Sequence, residues 1–176
     1  MNRIGKSKKG AVWAVLLSFL ACATYGGDLT IQGNINITSN AVVSGTLAQG
    51  DNCTASGENS HAEGKQTTAS GYYSHAEGSY TIASGYASHA EGQSNKATGN
   101  ASHAEGLDVI ASGDFSHAEG HQTRASGHFS HAQGLLCTAA GESSHAAGQL
   151  AHATNNNSYV WSSGSSTNAE MQVHST

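Results

Sequence analysis

The dipeptide Ser-His occurs seven times in this chain at one fixed spacing, and in five cases a Glu stands two residues after the His. Histidine is the common residue of acid–base catalysis, metal ligation and pH-dependent charge. Residues of these types could form a Ser–His nucleophile, a metal site of imidazole and carboxylate ligands, or a polar hydrogen-bonded ladder. The seven histidines are His61, His75, His89, His103, His117, His131 and His145.

These residues belong to a 14-residue repeat that runs from Ala55 to Gln149 without an insertion. The unit is Ala-(Ser/Thr/Ala)-Gly-x-x-Ser-His-Ala-(Glu/Gln/Ala)-Gly followed by four variable residues, with degenerate turns before it at 46–50 and after it at 158–162. Such a unit is too short for two helices, and its two glycines disfavour helix. The repeat predicts an all-β fold, a parallel β-solenoid in which each unit is one coil of two short strands and two tight turns. Coils stacked about 4.8 Å apart would make a rod roughly 35 Å long.

The alternation of side chains along a strand assigns the two faces of each strand. In Ser-His-Ala-Glu-Gly the Ala points one way, and the His and Glu point the other. We expect the Ala to be inward, because seven stacked imidazoles do not fit so thin a core. In the second strand the repeated Ala shares the inward face with one column, Cys53, Thr67, Thr81, Asn95, Val109, Thr123 and Cys137. The outward column is Thr54, Thr68, Ile82, Lys96, Ile110, Arg124 and Thr138.

The same strand geometry predicts where the cysteines and the glycines lie in each coil. Cys53 and Cys137 lie in one column six coils apart, about 29 Å, which is far beyond the roughly 7 Å limit for a disulfide. We therefore interpret them as small core residues. Gly57, Gly64 and their equivalents are expected at corners that need positive φ or close backbone approach.

The alternation also decides between the candidate chemistries. A Ser and the His that follows it point to opposite faces, so they form no catalytic dyad, and we expect no enzyme activity and no cofactor. Zinc, copper or nickel could bind between histidines of adjacent coils or adjacent chains. A structural His–Glu hydrogen-bond ladder at a subunit interface is favoured over the metal site and over an exposed binding stripe, because the Glu partner is so uniform.

The first residues differ from the rest of the chain. Arg3, Lys6, Lys8 and Lys9 precede an apolar run, residues 11–21, that is shorter than the roughly 20 residues of a membrane span. This is the pattern of a secretory signal peptide, cleaved after Ala23. The alternative is acylation of Cys22, although residues 19–21 match a lipoprotein signal poorly.

Removal of the signal peptide leaves three basic residues against twelve acidic ones, a formal charge of −9. A strongly acidic chain repels phosphate backbones, so nucleic acid is excluded as an expected partner.

The repeat resembles the head of YadA-like trimeric autotransporter adhesins, whose 14-residue units carry a Ser-Val-Ala-Ile-Gly-type motif, here written Ser-His-Ala-Glu-Gly. The resemblance covers roughly residues 41–162. It implies a left-handed parallel β-roll, a homotrimer, and an adhesive or surface-display role. Related rolls also occur in phage tail fibres. The chain departs from the family in having His and Glu where apolar residues are more frequent, and neither a long heptad stalk nor an integral membrane anchor is expected in it.

The outward face of the first strand is the predicted trimer interface. It barely changes from coil to coil, whereas the outward face of the second strand varies freely. In the last coil Tyr159 replaces the His and Trp161 replaces the Glu, which suggests an aromatic plug. If the ladder is buried, its imidazoles cannot all be protonated, so mild acid is expected to loosen the trimer. Besides the seven histidines, Tyr159 and Trp161, the predicted interface contains Glu63, Glu77, Glu91, Glu105, Glu119 and Gln133.

Four segments follow from these patterns: a signal peptide at 1–23, a capping segment at 24–45 with strand-like alternation at Asp28–Thr38, the head repeats at 46–162, and a tail at 163–176 that is either a last short strand or a connection. The sequence predicts a secreted, non-enzymatic, adhesin-like trimer outside the cell or on its surface. A host-surface, cell or glycan ligand would contact the variable pairs Tyr72-Tyr73, Asp114-Phe115 and His128-Phe129. A spacer or tail-fibre-like protein without a ligand, or a His-ladder metal-binding protein, is the alternative.

Overall fold

The computed structural model describes residues 45–164 and, for the backbone alone, the strand at 171–173. The predicted signal peptide and the predicted capping strand Asp28–Thr38 lie outside these residues. In the described part of the chain, no helix is long and apolar enough to cross a membrane.

One long sheet carries the Ser-His-Ala-Glu-Gly segments. Its strands follow one another in chain order, each paired in parallel with the equivalent strand one repeat later, so that His61 lies beside His75 and Ala62 beside Ala76. The last strand is the exception, because it runs antiparallel to its neighbour and covers the end of the sheet. The strands of this sheet are β1 (Leu47–Asp51), β3 (His61–Lys65), β5 (His75–Ser79), β7 (His89–Gln93), β9 (His103–Leu107), β11 (His117–His121), β13 (His131–Leu135), β15 (His145–Gln149), β17 (Tyr159–Ser163) and β18 (Met171–Val173).

The second sheet consists of eight strands of two residues, one in each coil. They also pair in parallel with the equivalent strand of the next coil, as Ile110 does with Arg124. Long and short strands alternate along the chain, which is the β-solenoid of 14-residue coils that the repeat predicts. The short strands are β2 (Thr54–Ala55), β4 (Thr68–Ala69), β6 (Ile82–Ala83), β8 (Lys96–Ala97), β10 (Ile110–Ala111), β12 (Arg124–Ala125), β14 (Thr138–Ala139) and β16 (His152–Ala153).

The core between the two sheets consists almost entirely of small side chains. The inward alanines of the long strands and of the short strands are fully buried from Ala62 to Ala153, and they form one cluster with Val109, Cys137 and Val160. Lys96 and Arg124 are exposed on the outer face of the second sheet. Both predicted face assignments are therefore confirmed, and the thinness of the core follows from the size of alanine.

The serine before each ladder histidine points into the solenoid and closes a corner. In the coils from Ser74 to Ser144 its Oγ donates a hydrogen bond to the carbonyl oxygen of the glycine three residues earlier, for example Ser74 to Gly71 at 2.7 Å. The same serines are almost completely buried. A Ser–His dyad is thus absent from the described coils, because the hydroxyl and the imidazole lie on opposite faces.

The two glycine columns hold adjacent coils close together, but only one of them has positive φ. Gly64 and its equivalents lie inside the long strands rather than at corners, with φ of +101° to +116° in the seven full repeats. A Cβ there would overlap the carbonyl oxygen of the equivalent glycine in the next coil, as it would at Gly71, whose φ is not left-handed. The left-handed corner residues are instead non-glycine side chains such as Tyr73 and Leu136, which the sequence did not predict.

Cys53 and Cys137 are both free thiols in the inward column, as the predicted coil separation requires. Each Sγ lies 3.3 Å from a backbone carbonyl oxygen of the next long strand, that of Gly64 for Cys53 and that of Gly148 for Cys137.

Candidate functional site: the His–Glu ladder

The outward face of the long sheet brings the predicted ladder residues together in two parallel columns. Because the strands are in register and separated by one 14-residue repeat, each His lies beside the His of the next coil. In the coils from His61 to Glu105, about a third of each His and Glu side chain is exposed. We call the seven histidines, with Glu63, Glu77, Glu91, Glu105, Glu119 and Gln133, the His–Glu ladder.

The imidazole rings of the ladder are stacked face to face. From His61 to His131 the ring centroids of neighbouring coils are 4.8 Å apart and the ring planes are within 9° of parallel. The ring of His145 is turned by 62° from that of His131. The regular part of the stack therefore ends where Gln and Ala replace the glutamates.

The glutamates lie beside the imidazoles but do not form hydrogen bonds with them. In four coils Nε2 of the His is 3.5 to 3.8 Å from a carboxylate oxygen of the Glu two residues later, and Nε2 of His131 is 3.7 Å from Glu119. These separations exceed the usual limit of about 3.2 Å for such a bond. Nε2 is covered from solvent and has no hydrogen-bond partner among the described residues in His61, His75, His89, His103, His117 and His131.

Burial changes the proton affinity of the ladder. Burial of the ring lowers the pKa of His103, and repulsion from the neighbouring His89 and His117 lowers it further, whereas the carboxylates of Glu105 and Glu91 raise it. The pKa values of His75, His131 and His145 are also lowered, in each case chiefly by burial. These four imidazoles therefore favour the neutral form, which can act as a hydrogen-bond acceptor or a metal ligand.

An open groove runs along the ladder on the side of the glutamates. One stretch is lined by Glu91, Glu105 and Glu119 and by glycines from Gly92 to Gly148, and a second stretch continues it towards Gly50. The two stretches share Glu77 and Gly92. Because the glycine column has no side chains, the carboxylates have an unoccupied space beside them.

Three groups of ladder residues place ligand atoms of types that bind metals within 4.8 Å of one another. They are Glu63, His75 and Glu77; His89, Glu91 and His103; and His103, Glu105 and His117. At the far end the amide nitrogen of Gln133 lies 3.4 Å from Nε2 of His145.

The last coil presents two large aromatic side chains on the ladder face. Tyr159 pairs in register with His145, and Trp161 pairs with Ala147. About half of each aromatic side chain is exposed. A polar ladder thus ends in an apolar patch on the same face.

The predicted ligand contacts lie on the corner of the solenoid that directly precedes the long strands. Tyr72, Tyr73, Phe115 and Phe129 are each more than half exposed. The rings of Phe115 and Phe129 stack at 5.2 Å, and Tyr73 contacts Tyr86 edge to face at 5.5 Å. Tyr86 extends the predicted set, and its position directly after Gly85 was the signal that could have identified it.

A comparison with protein families assigns the repeat. The family described as the YadA head domain repeat matches this chain in two copies, at residues 48–74 and 76–94. Residues 48–94 of the solenoid are therefore similar to YadA head repeats. Both copies lie in the first coils, and the remaining coils of the solenoid repeat the same strand pairing up to β17. No curated protein matches the chain.

Proposed function

We propose that this YadA-like head is a secreted, non-enzymatic adhesin-like module that acts as a homotrimer, with the ladder face at the contact between chains. The observation that carries the proposal is the contrast between the two outer faces. The ladder face repeats nearly the same residues in every coil and has buried nitrogen atoms with no partner among the described residues, whereas the opposite face varies. A repeated environment, such as a parallel copy of the same chain, accounts for a repeated residue.

The exposed aromatic patch supports the same interface. Tyr159 and Trp161 lie at the end of the ladder and leave large apolar surfaces in water when the chain is alone. Around a threefold axis, three copies of each ring would meet and remove that surface from solvent.

The native mass of the protein secreted by its own signal peptide tests this proposal. Light scattering after size exclusion should give the mass of three chains, and mass spectrometry should give an N-terminus at Thr24. A monomeric mass at micromolar concentration would refute the trimer.

Two substitutions in one coil locate the interface. His131→Glu adds a charge to the ladder face, and Thr138→Glu adds the same charge to the opposite face of the same coil. We expect the first variant to dissociate the trimer and the second to leave it intact. Equal effects would show that the ladder face is not the contact.

The ligand surface of the head is assigned to the aromatic corner. Tyr73, Phe115 and Phe129 have left-handed φ values of 56° to 58°, a conformation that is costly for bulky side chains. The equivalent position in other coils holds Asn59 or Ala87 with the same backbone. Aromatic rings at this position add exposed contact surface rather than core packing.

Binding to cells and to a glycan array separates an adhesin from a spacer. The trimer should bind at least one surface or glycan, and Phe115→Ser with Phe129→Ser should weaken that binding at least tenfold. The control is Leu136→Ser, at an exposed left-handed position of the other corner. A trimer that binds nothing in either assay would favour the second candidate, a structural spacer.

A further inference from the structure

The buried nitrogen atoms of the ladder need a partner that the described residues do not supply. Six Nε2 atoms have no exposed surface and no hydrogen bond. The nearest carboxylate oxygens, 3.5 to 3.8 Å away, are too far for hydrogen bonds. Buried polar atoms without partners are costly, and an ion is one way in which proteins satisfy them.

The His–Glu separation resembles the distance between two ligands of one metal ion. Zinc binds imidazole nitrogen and carboxylate oxygen at about 2.0 to 2.2 Å in tetrahedral geometry, which places neighbouring ligand atoms about 3.4 Å apart. The observed distances, 3.8 Å between Nε2 of His75 and Glu77 and 3.7 Å between Nε2 of His103 and Glu105, are a few tenths of an ångström above this value. The side chains are therefore near a ligating arrangement without any change of backbone.

The column of glutamates also favours a cation. Five carboxylates occupy equivalent positions in consecutive coils, so their charges repel one another along the sheet. Within the two columns of the ladder, the positive charge can come from the histidines, and stacking at 4.8 Å opposes their simultaneous protonation. A divalent ion offsets carboxylate repulsion and leaves the imidazoles neutral.

We propose that the His–Glu ladder binds two divalent transition-metal ions per chain, with Zn²⁺ the ion that suits its imidazole and carboxylate ligands. One site consists of Glu63, His75 and Glu77. The other is centred on His103, which belongs to both remaining groups and can serve only one ion at a time. Three protein ligands leave a fourth position for water.

Binding requires a movement of the side chains. In tetrahedral geometry two nitrogen ligands of one zinc ion lie about 3.4 Å apart. The rings of His89 and His103 are nearly parallel with centroids 4.8 Å apart, so they must turn towards the ion to bring their nitrogen atoms together. A third of each His103 and Glu105 side chain is exposed, and the adjacent groove gives the carboxylates and the ion room to move. All ligands come from one chain, so the proposal does not depend on trimer formation.

The test is titration of the chelator-treated, dialysed protein with Zn²⁺ by calorimetry, and with Co²⁺ by visible absorption. We expect two equivalents per chain, together with the absorption bands of Co²⁺ in a nitrogen and oxygen environment. His75→Gln and His103→Gln should each reduce the stoichiometry from two to one. Absence of binding at 100 micromolar metal would overturn the proposal, because this concentration is roughly the weak end of the affinity range for metal sites in proteins.

Matched variants separate the ladder from other histidines. His121, His128 and His152 lie outside the ladder, and replacing all three by Gln should leave both ions bound with unchanged affinity. If this triple variant loses the ions, or if the ladder variants bind as the wild type does, the sites are not in the ladder. Glu77→Gln is a second variant for the first site and should weaken one ion at least tenfold. Gln133 already occupies the equivalent position in its own coil, so this change is compatible with folding.

Discussion

Gly106 and its equivalents allow adjacent coils to approach closely, so adding one methyl group there is expected to destabilise the fold strongly. In Gly106→Ala the new Cβ would overlap the carbonyl oxygen of Gly120, and the backbone has φ of +116°. The left-handed conformation costs an L-residue about 1 to 2 kcal/mol, and overpacking costs about 1 to 3 kcal/mol. The free energy of unfolding should therefore fall by roughly 2 to 5 kcal/mol.

Two other glycines separate these contributions. Gly113 lacks left-handed φ, but its Cβ would overlap the carbonyl oxygen of Gly127, so Gly113→Ala tests the overlap alone. Gly45 has φ of +106° with no atom within 4 Å of its Cβ, so Gly45→Ala tests the conformation alone. The loss of flexibility in the unfolded chain is similar for all three variants and cancels in their comparison.

Urea denaturation followed by circular dichroism, at one protein concentration for all variants, measures the three effects. We expect Gly106→Ala to be the least stable variant, followed by Gly113→Ala and then Gly45→Ala. If Gly113→Ala unfolds within about 0.5 kcal/mol of wild type, the coils can separate without cost and the reasoning fails.

Three further predictions concern the core, the ladder and the end of the solenoid. Asn95→Ala should lower the free energy of unfolding by about 3 kcal/mol, because the buried Asn95 amide donates to the carbonyl oxygens of Glu91 and Gly106 and accepts from the backbone N–H of Val109. Asn95→Thr should cost less, and urea denaturation checks both. Burial lowers the pKa of His103 below its ordinary 6.5, so as the pH falls the unfolded chain takes up a proton before the folded chain does. The contribution of His103 to the free energy of unfolding should therefore be complete above pH 6.5 and decrease as the pH falls towards the lowered pKa. Urea denaturation in the presence of chelator from about pH 8 to about pH 5 measures this pH dependence, and a free energy of unfolding that does not change over the range would contradict it. Light scattering over the same range should show the trimer dissociating. Trp161→Ala should weaken the trimer by about 2.5 kcal/mol per chain, the value of burying roughly 100 Å² of apolar surface, as measured by the concentration dependence of native mass.

The strand alternation and the constant spacing were enough to predict the coil, both faces and the inward columns. Ala104 and Val109 had to be inside, because the alternative would bury His103 in the first strand and the Lys96 and Arg124 column in the second. The cysteine prediction followed from the same register. These features depend only on periodicity, which a sequence states directly.

The corners and the ladder distances depend on contacts that periodicity does not specify. Leu136 and Phe129 adopt left-handed φ although neither residue favours it, because the coil closes at that position whatever its side chain. Ser74 could be assigned an inward direction, but its hydrogen bond to Gly71 required coordinates. The His–Glu separation is set by side-chain rotamers, so the sequence identified the partners without their distance.

The chemistry of the ladder is a consequence of how closely its coils approach. The glycine columns allow the backbones to meet without an intervening side chain, and this contact fixes the repeat at the separation of paired strands. At that separation the rings of His89 and His103 stack, and glutamates in consecutive coils face like charges. A face built in this way is unfavourable when left bare, because six of its imidazole nitrogen atoms find no partner in the described coils and its carboxylates repel one another. The proposed sister chains and metal ions would relieve different parts of that cost, the apolar end by burial and the carboxylate column by charge, so the two proposals are compatible.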